Sequence, residues 1–177
     1  MSCILKYIMC FTLFVLAGTS SVAASRSYEP VYYPGTNSYF DLIRFPGQVN
    51  LTWLQAKVLA EQQSYKGARG RLAVIPGEDV NGFLRQTFTP TQEAWIGLRY
   101  WCPYLKLQWV TGDFLTQADY TNWHPYWVSD PGSDCAVTET TFMPVYYTPH
   151  DGGFLWQASS VSRRLSAFFI EYPMDTR

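Results

Sequence analysis

The chain has 177 residues, with 13 Lys or Arg against 14 Asp or Glu, a balance that excludes the broad basic surface of a nucleic-acid binder. Its length suits one domain with a substantial core. Aromatics make up 18% of it, with seven Trp and 13 Tyr, a surplus that fits either a binding face or a large aromatic core.

Lys6 opens an apolar stretch over residues 7–17, and the small residues 18–24 follow. This is the three-part pattern of a signal peptide, with Val22 and Ala24 as the small-x-small pair and cleavage after Ala24. The apolar run is shorter than the roughly 20 residues a membrane span needs. Residues 1–24 are therefore expected to be removed, with no membrane insertion afterwards and a secreted or periplasmic location. Cys3 and Cys10 leave with that segment, so Cys102 and Cys135 remain and one disulfide is possible in an oxidising compartment. These two cysteines are isolated, and His124 and His150 do not stand at ligand spacing, so no zinc site and no cofactor are implied.

Residues 25–35, rich in Tyr, Pro and Ser, read as an extended lead-in to a domain over 36–177. Residues 39–43 predict a strand, followed by a turn at Pro46-Gly47. A helix is expected to start near Thr52, whose hydroxyl can cap its first turn, and to stop by Gly67. Leu72-Ala73-Val74-Ile75 predicts a short buried strand, and residues 78–88 a second helix with Val80, Phe83, Leu84 and Phe88 inward. After Pro90 the pattern turns to strand: 94–98, then 107–110 closed by the turn Thr111-Gly112-Asp113. Residues 119–134 carry no period and predict a long loop, the kind that is usually functional in a compact domain. Cys135-Ala136-Val137 and Phe154-Leu155-Trp156 are expected to begin the next strands, and 167–172 the last. Two helices followed by short antiparallel strands predict an α+β domain.

An ordered set of residues then becomes specific. Trp53-x-x-Ala56, Gly70-Arg71-Leu72-Ala73-Val74-Ile75, Trp95-Ile96-Gly97-Leu98, Trp109-Val110-Thr111-Gly112, Asn122-Trp123, Trp156 and the closing Phe168-Phe169-Ile170-Glu171-Tyr172 together resemble the framework of the C-type-lectin-like domain. The match covers about residues 36–173. The resemblance implies a core centred on the Trp95 strand, with Trp109 and Trp156 filling space between two small sheets, and a cis proline at Pro125 or Pro131. The departures matter as much. Ala60 and Ile170 stand where the animal-type pattern has a cysteine pair, and Cys135 has lost its usual partner near Val161. That leaves either a Cys102–Cys135 bridge or a free buried thiol. Such cysteine-poor wording resembles bacterial exported members. Asn50-Leu51-Thr52 is a glycosylation sequon, yet Thr52 as helix cap accounts for the same residues.

Calcium needs about six to eight oxygen ligands, which sugar-binding members supply from a loop triplet, an acidic pair and an Asn-Asp after the fourth-strand Trp. Here the loop reads His124-Pro125-Tyr126-Trp127-Val128-Ser129-Asp130-Pro131-Gly132, the pair is Ser133-Asp134 and the last element is Gln157-Ala158. Too few carboxylates remain for calcium, and Asp130, Asp134 and Glu139 are expected to cap turns. Aromatic side chains still fit ligand recognition. Tyr126 and Trp127 lie in the loop, with Trp101, Tyr104, Tyr146 and Tyr147 on neighbouring connections, and such rings stack on sugars or anchor protein interfaces. The candidate ligand-binding set is thus Trp101, Tyr104, Tyr126, Trp127, Asp130 and Asp134, with an extracellular protein or glycan as partner. A calcium-assisted lectin and an enzyme on the same fold are the alternatives. For the enzyme, Cys102, His124 and Asp151 supply the residue types, but no spacing ties them together. A structural role, with the lead-in docking to a partner, is a third.

Overall fold

The computed structural model describes residues 25–26, 29–47, 49–125, 135, 141–149 and 154–174; Tyr126, Trp127, Asp130, Pro131, Asp134, Glu139 and Asp151 lie outside them. The lead-in forms β1 (Ser25–Arg26) and β2 (Val31–Tyr33), and both pair antiparallel with β3 (Ser38–Arg44). Asn37, at φ 48°, turns the chain from β2 into β3; Asn tolerates this left-handed geometry better than most residues.

Helix α1 (Trp53–Gln62) begins at a reciprocal cap. Thr52 Oγ1 accepts from Gln55 N–H at 3.3 Å, and Thr52 N–H donates to Gln55 Oε1 at 3.0 Å. Trp53, Ala56 and Ala60 are buried, three and four residues apart on one face. A tight hairpin follows, β4 (Ser64–Tyr65) and β5 (Ala68–Arg69), in which Lys66 and Gly67 both have positive φ as a two-residue turn of this kind requires. Only Arg71–Leu72 of the next segment is strand (β6); Ala73 and Ile75 are buried but irregular, and Ala73 spends its backbone groups on Phe169 and Gly97. Helix α2 (Glu78–Phe88) starts on Gly77 with Glu78 and Asp79 in its first turn, where carboxylates favour the helix dipole.

The remaining elements are β7 (Ala94–Trp101), a single 3-10 turn η1 (Cys102–Tyr104), β8 (Lys106–Trp109), β9 (Phe142–Thr148), β10 (Leu155–Ala158) and β11 (Ala167–Pro173). They join one continuous pairing network in the order β1-β3-β11-β7-β9-β10, with β6 beside β11 and β8 beside β7. All pairs are antiparallel except β11 with β7, where Phe168 stands opposite Trp95. Cys135 is helical rather than the start of a strand, Ala136 and Val137 lie outside the described residues, and the next described strand is β9. Tyr146 and Tyr147 therefore belong to a strand and are buried, correcting their expected place on a connection. No cis peptide bond occurs among the described residues, so the bond before Pro125 is trans.

Side-chain alternation splits the core in two. Ala94, Ile96, Leu98 and Tyr100 of β7 join Phe169, Tyr147 and the α2 residues Val80, Leu84 and Phe88. Trp95 joins Phe168, Ile170, Tyr146 and the α1 residues Trp53, Ala56 and Ala60. The sheet thus lies between the two helices, and Trp109 and Trp156 pack on the α2 face of it rather than between two sheets. Ala60 and Ile170 are both fully buried in the α1 half, so the two apolar residues at the expected cysteine places add to the core. Gly97 is required by close approach: a Cβ there would lie 2.7 Å from the Leu72 carbonyl oxygen and 2.9 Å from that of Ala73. Both core tryptophans use their polar edge as well, Trp53 Nε1–H donating to Ile96 O and Trp95 Nε1–H to Leu51 O, each at 2.8 Å.

Glu171 is buried in the middle of β11 and fully engaged. Its Oε1 accepts from Ser38 Oγ at 2.9 Å and Arg71 Nη2 at 3.0 Å, and its Oε2 accepts from Arg71 Nε at 3.0 Å and Val74 N–H at 3.2 Å. Replacing it with Ala strands the Arg71 guanidinium and the Val74 amide, so Glu171→Ala is expected to cost about 3 kcal/mol. Urea unfolding checks this: the midpoint falls while the slope is unchanged.

Candidate functional site

The turn between β7 and β8 and the loop that follows β8 meet on one side of the domain. Cys102, in η1, forms a disulfide with Cys135 across 33 residues of chain, with Cα atoms 5.5 Å apart. This resolves the choice between a bridge and a free thiol in the described structure, and it ties the two segments that carry the candidate aromatics. Pro103 sets the turn, and Leu105 closes it at φ 50°.

Trp101 and Tyr104 play unequal parts. Trp101 is half-buried: its Nε1–H donates to Gln108 Oε1, and the Arg99 guanidinium lies 4.3 Å from the ring centroid. Arg99 Nη2 also donates to Gln108 Oε1, at 2.9 Å, and Gln108 Nε2 donates to the Gly112 carbonyl at 2.8 Å. Trp101 is therefore a support for the hairpin, with one ring face already covered by a cation. Tyr104 is 65% exposed and touches Trp101 only edge-on, at 6.4 Å. Of the candidate aromatics that the structure describes, Tyr104 presents the free ring. Beside it Leu105, at 64% exposure, was not singled out from the sequence.

After β8 the chain reverses at Gly112 (φ 98°) and returns along β8, with Leu115 N–H donating to Leu107 O at 2.9 Å. Between this returning segment and the η1 turn runs a groove of about 590 Å³, lined by Tyr100, Leu105, Lys106 and Leu107 on one side and Leu115, Thr116 and Asp119 on the other. Asp119 accepts from Thr116 N–H at 2.6 Å and Thr116 Oγ1 at 2.8 Å, and these bonds hold its carboxyl below the usual range. Lys106 and Asp119 were missed as groove residues because each looks like ordinary loop wording. The turn Thr111-Gly112-Asp113 was the usable signal, since a hairpin turn after a strand implies a partner strand on its far side.

Asn122 and Trp123 pin the next stretch to β10. Trp156 N–H donates to Asn122 O at 2.7 Å, and His124 N–H donates to Trp156 O at 2.9 Å. Trp156 is fully buried and receives Trp109, Tyr120 and Trp123 edge to face at 5.8, 5.6 and 5.8 Å. Gln157, at the place of the Asn that ligates calcium in the resembling members, uses its Oε1 to accept from the Tyr146 hydroxyl at 2.5 Å. The Arg163 guanidinium lies 4.4 Å over the Tyr146 ring and pairs with Glu93 at 2.6 Å. Of the residue types considered for catalysis, Cys102 is held in the disulfide and His124 is buried.

Residues 50–150, more than half of the chain, match the family model described as the lectin C-type domain, and the chain belongs to that family. Solved structures agree in fold. The carbohydrate-recognition domain of the human scavenger receptor C-type lectin is 16% identical, covering 84% of this chain and 100% of that one with a TM-score of 0.58. Its mouse counterpart is 14% identical over 80% and 93%, with a TM-score of 0.56. The carbohydrate-recognition domain of cow CD23, solved in the presence of a GlcNAc2Man3 oligosaccharide, is 19% identical over 78% and 89%, with a TM-score of 0.54. At these identities the likeness speaks for the fold alone. No curated protein matches the chain.

Two outcomes follow from this geometry. Removing the bridge as Cys102→Ser with Cys135→Ser is expected to lower stability by about 3–4 kcal/mol, from the loop-closure entropy of 33 residues, while far-ultraviolet circular dichroism stays unchanged. Burial also pushes the hydroxyls of Tyr120 and Tyr147 up to about 12. Unfolded tyrosines titrate near 10, so the fold holds these protons longer; their contribution is fully present below about pH 10 and is lost as pH rises towards about 12. Urea midpoints taken across that window, beside the tyrosinate absorbance, measure it.

Proposed function

We propose that the mature chain is an exported, non-catalytic binding module, secreted or periplasmic, that recognises an extracellular protein or carbohydrate through the aromatic turn and loop joined by Cys102 and Cys135. The observation that carries this is the exposed Tyr104 beside a groove of about 590 Å³, held in place by a disulfide and by the Trp101–Gln108–Arg99 cluster. A rigid turn that presents an open ring loses little conformational entropy on binding. Tyr126, Trp127, Asp130 and Asp134 complete the proposed surface from the loop. The cysteine-poor framework favours a bacterial exported protein, and export agrees with a structural disulfide.

Calcium independence belongs to the same proposal. The amide oxygen of Gln157 accepts from the Tyr146 hydroxyl, so it is engaged within the protein instead of being turned towards a cation. Ligand capture on a glycan array and from extracellular protein extracts is therefore expected to be the same in calcium and in EDTA. Tyr104→Ala is expected to weaken it about tenfold, in the range of an interface aromatic anchor. Sugar binding abolished by EDTA supports the calcium-assisted lectin instead, and binding untouched by Tyr104→Ala removes the turn from the site.

A further inference from the structure

A second, smaller concavity lies on the α2 side of the sheet, apart from Tyr104. It measures about 210 Å³ and is lined by the aromatic residues Trp109, Phe114 and Tyr120, the apolar Val74, Pro76 and Leu115, and the acidic Asp113 and Asp119. Each wall is positioned by something the fold supplies. Trp109 and Tyr120 abut the buried Trp156 at interplanar angles of 86° and 87°, which fixes both rings. Phe114 is set opposite Gln108 by the returning segment, and it remains 46% exposed.

The carboxylates are fixed as well. Asp113 Oδ2 accepts from Thr111 Oγ1 at 2.7 Å, and Asp119 is held by the Thr116 amide and hydroxyl. Both bonds use the side of the chain's own turns, leaving two negative charges at the rim of an aromatic box. Tyrosine burial keeps the third wall neutral far above physiological pH.

Aromatic faces attract cations through their quadrupole, and the attraction grows as the cation is desolvated. A primary ammonium resists losing its water, whereas a methylated one surrenders it readily and adds apolar surface. The volume lies below the roughly 300 Å³ at which pockets for drug-sized ligands begin, so a small headgroup fits better than an extended chain. Lys106 already places its ammonium 5.8 Å from the Phe114 centroid, the same interaction made by the chain itself. We propose that this aromatic and acidic cavity binds a quaternary ammonium group, of the kind carried by choline or by trimethylated lysine. The proposal goes beyond the Tyr104 surface; the cavity shares Leu115 and Asp119 with the larger groove, but Trp109, Asp113, Phe114 and Tyr120 belong to it alone, so variants at these residues let either proposal fail by itself.

Titration of the mature chain with choline, tetramethylammonium and N-trimethyl-lysine tests it, followed by calorimetry and by the aromatic resonances of Trp109, Phe114 and Tyr120. The carbon isostere of choline, with tert-butyl in place of trimethylammonium, is the neutral control. Choline and tetramethylammonium are expected to bind, with the isostere about tenfold weaker. Glycine betaine and phosphocholine, whose anions meet Asp113 and Asp119, are expected to bind more weakly than choline. The ratio of choline to N-trimethyl-lysine affinity then assigns the natural source of the group. Phe114→Leu and Asp113→Asn, both at the exposed rim and outside the larger groove, are each expected to weaken choline binding about fivefold with little change in thermal unfolding. An isostere that binds as well as choline, phosphocholine that binds tightest, or choline that moves none of the three aromatic resonances overturns the proposal.

Discussion

A single buried carboxylate sets the register on which the rest of the domain depends. Glu171 stands in β11, the strand that borders β3, β6 and β7, and it holds a partner from β3, two donors from Arg71 and the amide of Val74. Burying a charge is costly, so this network is better understood as a lock than as a source of net stability. A slip of β11 by one residue would send Ile170 or Tyr172 towards Arg71 and press Glu171 into the apolar half formed by Trp53, Ala60 and Phe168. With β11 held, Trp95 meets Phe168 across the parallel pair, and Gly97 can sit against the carbonyls of Leu72 and Ala73.

That lock separates scaffold from variable surface. The helices and the central strands rely on apolar packing and on indole N–H bonds to backbone carbonyls, to which the loop adds only partly buried side chains such as Leu115, Tyr120 and Trp123. The η1 turn and the loop after β8 are instead held by polar and covalent links at their bases: the disulfide, the Gln108 amide and the turns closed by Asp113 and Asp119. Their exposed rings can thus be exchanged without disturbing the fold, as one expects where function is grafted on a framework.

The framework was legible in the sequence because its residues are constrained by geometry. Thr52 is a cap, Gly97 is a close approach, and Trp53 and Trp95 fill spaces nothing smaller can fill, so residue type nearly dictates place. Strand β9 was not legible. It carries Pro144, which removes a ladder donor and argues against a central strand; the structure tolerates it because the β7–β9 register shifts between Trp95 and Arg99, just where Pro144 falls. The neighbouring tyrosines then looked like loop aromatics. At the site the same limit applied in reverse: Trp101 and Tyr104 have equal chemistry in the sequence, and only the position of Gln108 and Arg99 distinguishes the supporting ring from the open one.

The placement of the outer strands has a mechanical consequence. In β3, Ser38 stands opposite Pro173 and Arg44 opposite Ala167, while β2 and β1 run back along the other edge of β3 from Tyr33 at Ser38 to Ser25 at Arg44. The lead-in therefore departs from one end of β3 and the end of β11 from the other. A pull between them acts along the strand axis and loads the hydrogen bonds on both sides of β3 together, in shear, instead of opening them one at a time. A domain strung between a surface and a bound partner through these two ends would resist tension through the same ladder that positions Glu171.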